Sequence, residues 1–130
     1  MPHLIYEATP AIREAIDFPT MARTVHERLA ATGHAVLDEL KSRLYAADEF
    51  LAGDDPGGEF IVVRLVLSKA RSPQIQRAMG EVVHGVIESA IAPAAGDRWW
   101  QCCVFVVDAS KDPYIKSISG THRMSMAGVA

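Results

Sequence analysis

The feature that most restricts the fold is an eight-residue run at positions 60–67, Phe-Ile-Val-Val-Arg-Leu-Val-Leu, in which Arg64 is the one polar interruption. A short, nearly continuous series of β-branched and aliphatic residues specifies a strand covered on both faces. Alternate residues place Ile61, Val63, Leu65 and Leu67 on one side and Phe60, Val62, Arg64 and Val66 on the other. Both sides are too apolar to face water comfortably.

The remaining elements arrange themselves around this strand. Residues 3–8 read as a first strand, ended by a turn at Thr9 and Pro10. Asp17 is an N-cap candidate with Pro19 in the first turn, and Phe18, Met21, Ala22, Val25 and Leu29 keep helical spacing until Gly33. Residues 39–45 form a weaker strand candidate, and 53–58, Gly-Asp-Asp-Pro-Gly-Gly, are the clearest loop. Ser72-Pro73 opens a second helix whose stripe of Ile75, Met79, Val82, Val83, Val86, Ile87 and Ile91 runs to an expected stop at Pro93. Residues 99–107 read as the last strand.

The order is therefore β-α-β-β-α-β, an α+β fold, with a four-stranded mixed sheet carrying two helices on one face. Helix starts at 17 and 72 differ by 55 residues and the following strands at 39 and 99 by 60, which points to a duplicated β-α-β unit. Arg13 and Arg71 echo each other, each 11 residues after Pro2 and Phe60 respectively. Two helices cover one face of such a sheet, so the other apolar face calls for oligomerisation. One domain is expected over residues 1–116, with 117–130 a tail that is either mobile or ordered at a subunit interface.

Composition excludes several classes of function. The formal net charge of −3 with 22% charged residues offers no polyanion-binding surface, so nucleic acid is not an expected partner. Glu7, Arg13, Glu14 and Asp17 break up any leader-like stretch and no run reaches a membrane span, so the chain is expected to be cytoplasmic, with no membrane partner. Cys102 and Cys103 are adjacent, fit a reducing compartment and read as buried small hydrophobes. The histidines, at 3, 26, 34, 84 and 122, show no ligand spacing, so no metal is expected.

The residues with chemical potential lie near the strand ends. The chain begins Met-Pro, and removal of Met1 would leave Pro2 with a secondary amine beside Leu4 and Ile5, where desolvation and nearby arginines lower its pKa toward that of a useful base. Lys41 and Arg43 near the second strand, with Lys69 and Arg71 after the third, form a local group of cations suited to an anionic ligand. Arg71 stands out because it precedes the Ser72 cap, where helix amides also face an anion.

Several blocks carry a family likeness: Pro-His-Leu-Ile-Tyr-Glu at 2–7, Leu-Ala-Ala-Thr-Gly at 29–33, Leu-Lys-Ser-Arg at 40–43 and Ala-Arg-Ser at 70–72. They resemble 5-carboxymethyl-2-hydroxymuconate isomerase, a family of the tautomerase superfamily. The resemblance is clear over residues 2–45 and from Phe60 through the second helix, and fades after Asp97. It implies a homotrimer and a cofactor-free isomerisation of a dienol di- or tricarboxylate to its unsaturated ketone in aromatic-acid catabolism. Pro2 and Arg71 match the family's catalytic proline and arginine, Arg43 matches a further basic position, and Lys41 falls where the family has a substrate-binding arginine. Lysine cannot reproduce arginine's planar fork, so carboxylate binding at that point must differ. The family's asparagine-containing C-terminal stretch has no counterpart in residues 117–130. Two other readings compete. A dehalogenase or decarboxylase of the same superfamily would need a carboxylate to handle water, for which Glu7 and Glu39 are the candidates; a non-catalytic small-acid-binding or assembly module would need no base at all.

Overall fold

The structure, a computed structural model, describes residues 1–120. Four strands form one mixed sheet: β1 (His3–Ala8), β2 (Lys41–Ala46), β3 (Glu59–Leu67) and β4 (Trp100–Asp108), in the order β2-β1-β3-β4. The pairs β1–β2 and β3–β4 are parallel, and the central pair β1–β3 is antiparallel with His3 opposite Val66 and Ala8 opposite Ile61. Each parallel pair is joined through a long helix, α2 (Phe18–Ala31) in the first half and α3 (Pro73–Ala95) in the second. A short helix α1 (Pro10–Ala15) precedes α2. The duplicated β-α-β arrangement is thus present, with α1 as an addition confined to the first half.

Period-two alternation decides which residues face the helices. Leu4, Tyr6 and Ala8 of β1 and Ile61, Val63, Leu65 and Leu67 of β3 are all fully buried. They pack with Met21, Val25 and Leu29 of α2 and with Met79, Val83, Ile87 and Ile91 of α3 in one core. The long helices start where side chains replace the missing intrahelical partners of their first amides: Asp17 accepts from Thr20 N at 3.3 Å and Ser72 accepts from Ile75 N at 3.2 Å.

Several boundaries differ from the sequence-based expectation, each for a local reason. Thr9-Pro10 begins α1 instead of ending in a turn: Pro10 is at the start of the helix, where its missing N–H costs nothing, and Ile12 is drawn into the core. Residues 37–39 form a 3₁₀ turn, so β2 starts at Lys41. Pro93 does not stop α3, because in the last turn it forfeits a single bond to a water-exposed carbonyl; Gly96, with φ of 57°, ends the helix instead. Cys102 is partly buried against the core, and burial pushes its thiol pKa up to about 12, but Cys103 is exposed. Buried status for both cysteines fails because β4 is an edge strand whose outer face has no layer above it in the protomer.

That outer face carries His3, Ile5 and Glu7 of β1, Lys41, Arg43 and Tyr45 of β2, Val62, Arg64 and Val66 of β3, and Cys103, Phe105 and Val107 of β4. It is partly apolar and open: Phe105 is 58% and Tyr45 54% exposed. Glu7 is paired with Arg64 at 2.7 Å across it. Of the expected tail at 117–130, residues 117–120 are exposed and without regular structure, and 121–130 lie outside the described residues.

The close approach of α3 to β4 rests on a glycine. A Cβ on Gly80 would come within 2.8 Å of Val106 Cγ2, whereas one on Gly85, in the same helix, would meet nothing within 4 Å. Gly80→Ala is expected to lose about 1–2 kcal/mol, because overpacking against a stiff valine outweighs the helix propensity gained. Gly85→Ala should gain up to about 1 kcal/mol. Urea denaturation of the two variants separates the effects; stabilisation by both would show that β4 yields freely.

Candidate active site

The antiparallel register of β1 on β3 brings the residues before β1 beside those after β3. The amino group of Met1 donates to Ser68 Oγ at 2.6 Å. Pro2 is buried, and its carbonyl accepts from Lys41 N at 3.2 Å, which carries the β1–β2 ladder one step beyond the strand. The chain's amino end is therefore fixed between the start of β2 and the end of β3.

A cleft of about 370 Å³ opens there, bounded by Met1, Asp38, Glu39, Lys41 and the segment from Lys116 to Ser119. Lys41 Nζ donates to the Asp38 carbonyl at 2.8 Å, and Lys116 Nζ stands 4.0 Å from Glu39 Oε1. Burial lowers the pKa of the terminal amine; Glu39 opposes this, and Lys116, Lys69 and Arg71 add to it. His3 is also held below its ordinary value, first by burial and then by Arg43, the amino terminus and Lys41. A partly desolvated amine with cations nearby releases its proton more readily than a free amine and can have an anion held beside it.

The sequence-selected residues are distributed unevenly about this cleft. Lys41 lines it, and Pro2, buried behind Met1, is joined to Lys41 through its backbone carbonyl. Arg71 approaches from the loop after β3, but its Nε and Nη2 donate to the His34 carbonyl at 3.2 and 2.8 Å and its Nη1 to the Lys69 carbonyl at 3.2 Å. Its fork thus clamps the loop after α2. Arg43 lies two residues along β2 on the outer sheet face, exposed, with Nη1 3.1 Å from His3 Nδ1. Glu39 borders the cleft, whereas Glu7 is committed to Arg64 elsewhere.

Lys116 and Ser68 were not singled out by sequence pattern. Ser68 follows β3 with no periodic signal. A topological signal did exist for Lys116: β4 runs parallel to β3, so the chain leaving β4 emerges at the end of the sheet where Arg71 and the amino terminus lie.

Other polar groupings have local explanations. His26 Nε2 lies 2.7 Å and Tyr6 OH 3.2 Å from Ser42 Oγ, a network that ties α2 to β2 and β1. Burial raises the Tyr6 pKa to about 12, and burial followed by Lys41 lowers that of His26. A cleft between α2 and α3 has the same volume, about 370 Å³, but its carboxylate, Asp17, is engaged in capping α2. Among the described residues, no three His, Cys, Asp or Glu side chains gather as metal ligands would, and no helix is long and apolar enough to cross a membrane.

Comparison with known proteins narrows the chemistry. The sequence profile of 5-carboxymethyl-2-hydroxymuconate isomerase matches residues 2–117. The 5-carboxymethyl-2-hydroxymuconate Delta-isomerase of Escherichia coli is 31% identical over 99 residues, 75% of this chain and 79% of that protein. The chain belongs to the 5-carboxymethyl-2-hydroxymuconate isomerase family. It is an isomerase of the tautomerase superfamily, which sets aside the non-catalytic module. The fold agrees: a crystal structure of a 5-carboxymethyl-2-hydroxymuconate isomerase from Deinococcus radiodurans R1 superposes with a TM-score of 0.78 at 21% identity, covering 91% of this chain and 90% of that one. A fused 4-OT described as a symmetric trimer superposes with a TM-score of 0.64 at 16% identity, covering 95% and 98% of the two chains.

The two-nitrogen hold of Arg71 on His34 makes a prediction about this isomerase. Arg71→Lys keeps the charge but cannot keep both bonds, so stability should fall by about 1–2 kcal/mol, the lower part of the range for charged hydrogen bonds because the group is half in water. Equilibrium denaturation checks it. Unchanged stability would mean that the fork is free to turn toward the cleft.

Proposed function

We propose that this isomerase ketonises a dienol acid of the 5-carboxymethyl-2-hydroxymuconate type, with Pro2 as general base once Met1 has been removed. One observation carries the reading: the chain's amine lies in a cleft beside Lys41, Lys116, Lys69 and Arg71, desolvated and held below its ordinary pKa. Removal of Met1 takes away the residue that lines the cleft and leaves the secondary amine of Pro2 facing the same cations. The E. coli relative's name supplies the substrate class.

In this mechanism the neutral Pro2 nitrogen takes the enol hydroxyl proton and returns a proton to a carbon of the conjugated system, so the base is regenerated and no cofactor is consumed. Lys41 holds a substrate carboxylate as a point charge. Arg71, fixed by its carbonyl contacts, lends positive charge to the oxygen on which negative charge develops. Arg43, beside His3 on the outer face, is the more distant cation. Assembly as a homotrimer would cover the open sheet face, where each Å² of apolar surface removed from water stabilises by roughly 25 cal/mol; the trimeric fused 4-OT shares this fold. The reduced cysteines fit a cytoplasmic setting.

Intact mass spectrometry of normally processed protein should show loss of Met1, and Pro2→Ala should lower turnover of the dienol by on the order of 10²-fold, as for loss of a positioned base. Retained Met1 in active protein would remove Pro2 from the mechanism.

The pH profile follows from the charges. Only the neutral amine is a base, so kcat/KM should rise as pH passes through the amine's pKa and then level off. Lys69→Met removes a charge that lowers this pKa, so the rising limb should move to higher pH; Glu39→Gln removes one that raises it, so the limb should move to lower pH. Limbs that stay fixed in both variants would assign the titration to another group.

A further inference from the structure

We propose that Lys116 is a specificity-determining residue that binds an additional carboxylate of the substrate, so that the cleft selects tricarboxylates over dicarboxylates. The inference rests on the cleft being the substrate site and deepens that reading.

Lys116 is an exposed residue whose side chain, 27% exposed, lines the same cleft as Met1 and Lys41. Its recorded partner is Glu39 at 4.0 Å, within ion-pair range but too long for a hydrogen bond. The ammonium therefore has donors to give to an incoming carboxylate, with Glu39 as a counter-ion that an anion can displace. Lys41 differs: one of its donors is held by the Asp38 carbonyl at 2.8 Å, which aims the side chain.

The number of cations then bears on the ligand. Lys41 provides for one carboxylate, and Lys69 and Arg71, at the end of β3, provide positive charge near the amine. These meet the needs of a dicarboxylate. Lys116 arrives from a different element, the segment after β4, on the Glu39 side of the cleft. Beyond its pairing with Glu39 and its effect on the amine, a further cation there can donate to a substrate only if the acid bears a further carboxylate. Glu39 sharpens the choice, since it repels an anion that does not reach Lys116.

The test compares two substrates and two variants of the full-length protein. Lys116→Met keeps most of the aliphatic stem and removes the charge; Lys116→Arg restores a cation. For 5-carboxymethyl-2-hydroxymuconate, measured on the pH plateau where loss of a cation that lowers the amine's pKa has no effect, Lys116→Met should raise KM by on the order of tenfold or more with kcat within about twofold, and Lys116→Arg should recover most of the loss. For 2-hydroxymuconate, which lacks the carboxymethyl arm, KM should barely change. Equal losses on both acids, or a loss confined to kcat, would overturn the assignment. Binding of propane-1,2,3-tricarboxylate and of glutarate, read by calorimetry, does not depend on turnover. Wild type should prefer the tricarboxylate, and Lys116→Met should lose that preference. Binding with this pattern in a protein that ketonises neither dienol would leave the inference standing and discard the proposed reaction; absence of any preference in wild type would discard the inference even if Pro2 proves to be the base.

Discussion

The antiparallel pairing of β1 with β3 is the constraint on which the rest of the molecule depends. It joins two parallel β-α-β halves that would otherwise each leave a sheet edge unpaired. It also sets Leu4 opposite Leu65 and Tyr6 opposite Val63, side chains fully buried beneath the helices. A slip of one residue would turn this whole set to the outer face. The same register puts the amine of Met1 within 2.6 Å of Ser68 Oγ, so the core and the candidate site are fixed by one alignment. Lys41 joins because β1 pairs with β2 on its other edge, through the Pro2 carbonyl.

Much of this was legible in the sequence because burial leaves a periodic trace. The run at 60–67, the stripe from Ile75 to Ile91 and the caps Asp17 and Ser72 each specify their element, and the structure has them there. Errors fall where one signal serves two conformations. Thr9-Pro10 suits both a turn and a helix start, and the buried position of Ile12 tips it to helix. Pro93 suits both a stop and a tolerated last turn, decided by Gly96 three residues on. Of the candidate site, Pro2 and Lys41 could be proposed from residue type and resemblance. Lys116 could not, since an irregular segment has no periodicity and its place depends on where β4 delivers the chain. The carbonyl contacts of Arg71 were equally hidden, because His34 is 37 residues away and acts through its backbone.

The outer sheet face shows how polar and apolar demands are combined. Arg64 interrupts the apolar run, yet opposite Ile5 and within reach of Glu7 it forms an ion pair at 2.7 Å with both partners nearly half exposed. Such a pair contributes little in water, about 0–1 kcal/mol. Covered by another layer, it would be costly to break by removing one partner. A face with apolar residues on all four strands and an ion pair already formed between β1 and β3 is suited to the proposed assembly, in which Arg43, 3.1 Å from His3 Nδ1, would be the cation that the covering layer must meet.

Duplication produces two similar ends, and they differ in how their polar groups are bonded. At the end opposite the cleft, Thr9 exchanges bonds with Phe60: Thr9 N donates to the Phe60 carbonyl at 3.1 Å and Phe60 N donates to Thr9 Oγ1 at 3.0 Å. Glu59 Oε2 accepts from Ala11 N at 3.2 Å, and Arg13, the echo of Arg71, is paired with Asp48 at 2.6 Å. These contacts fill the place where the first half has its amine. The chain passes straight through at Gly58 and Glu59, so an amide stands where an amine would be needed, and an amide nitrogen is no base. A fused duplicate of the β-α-β unit can therefore carry amine chemistry at one end only, which leaves the other free to accumulate structural bonds. At the cleft end the bonding is lighter on the two lysines, Lys41 with one bond to the Asp38 carbonyl and Lys116 with Glu39 at 4.0 Å, which is what the proposed binding of an anion there requires.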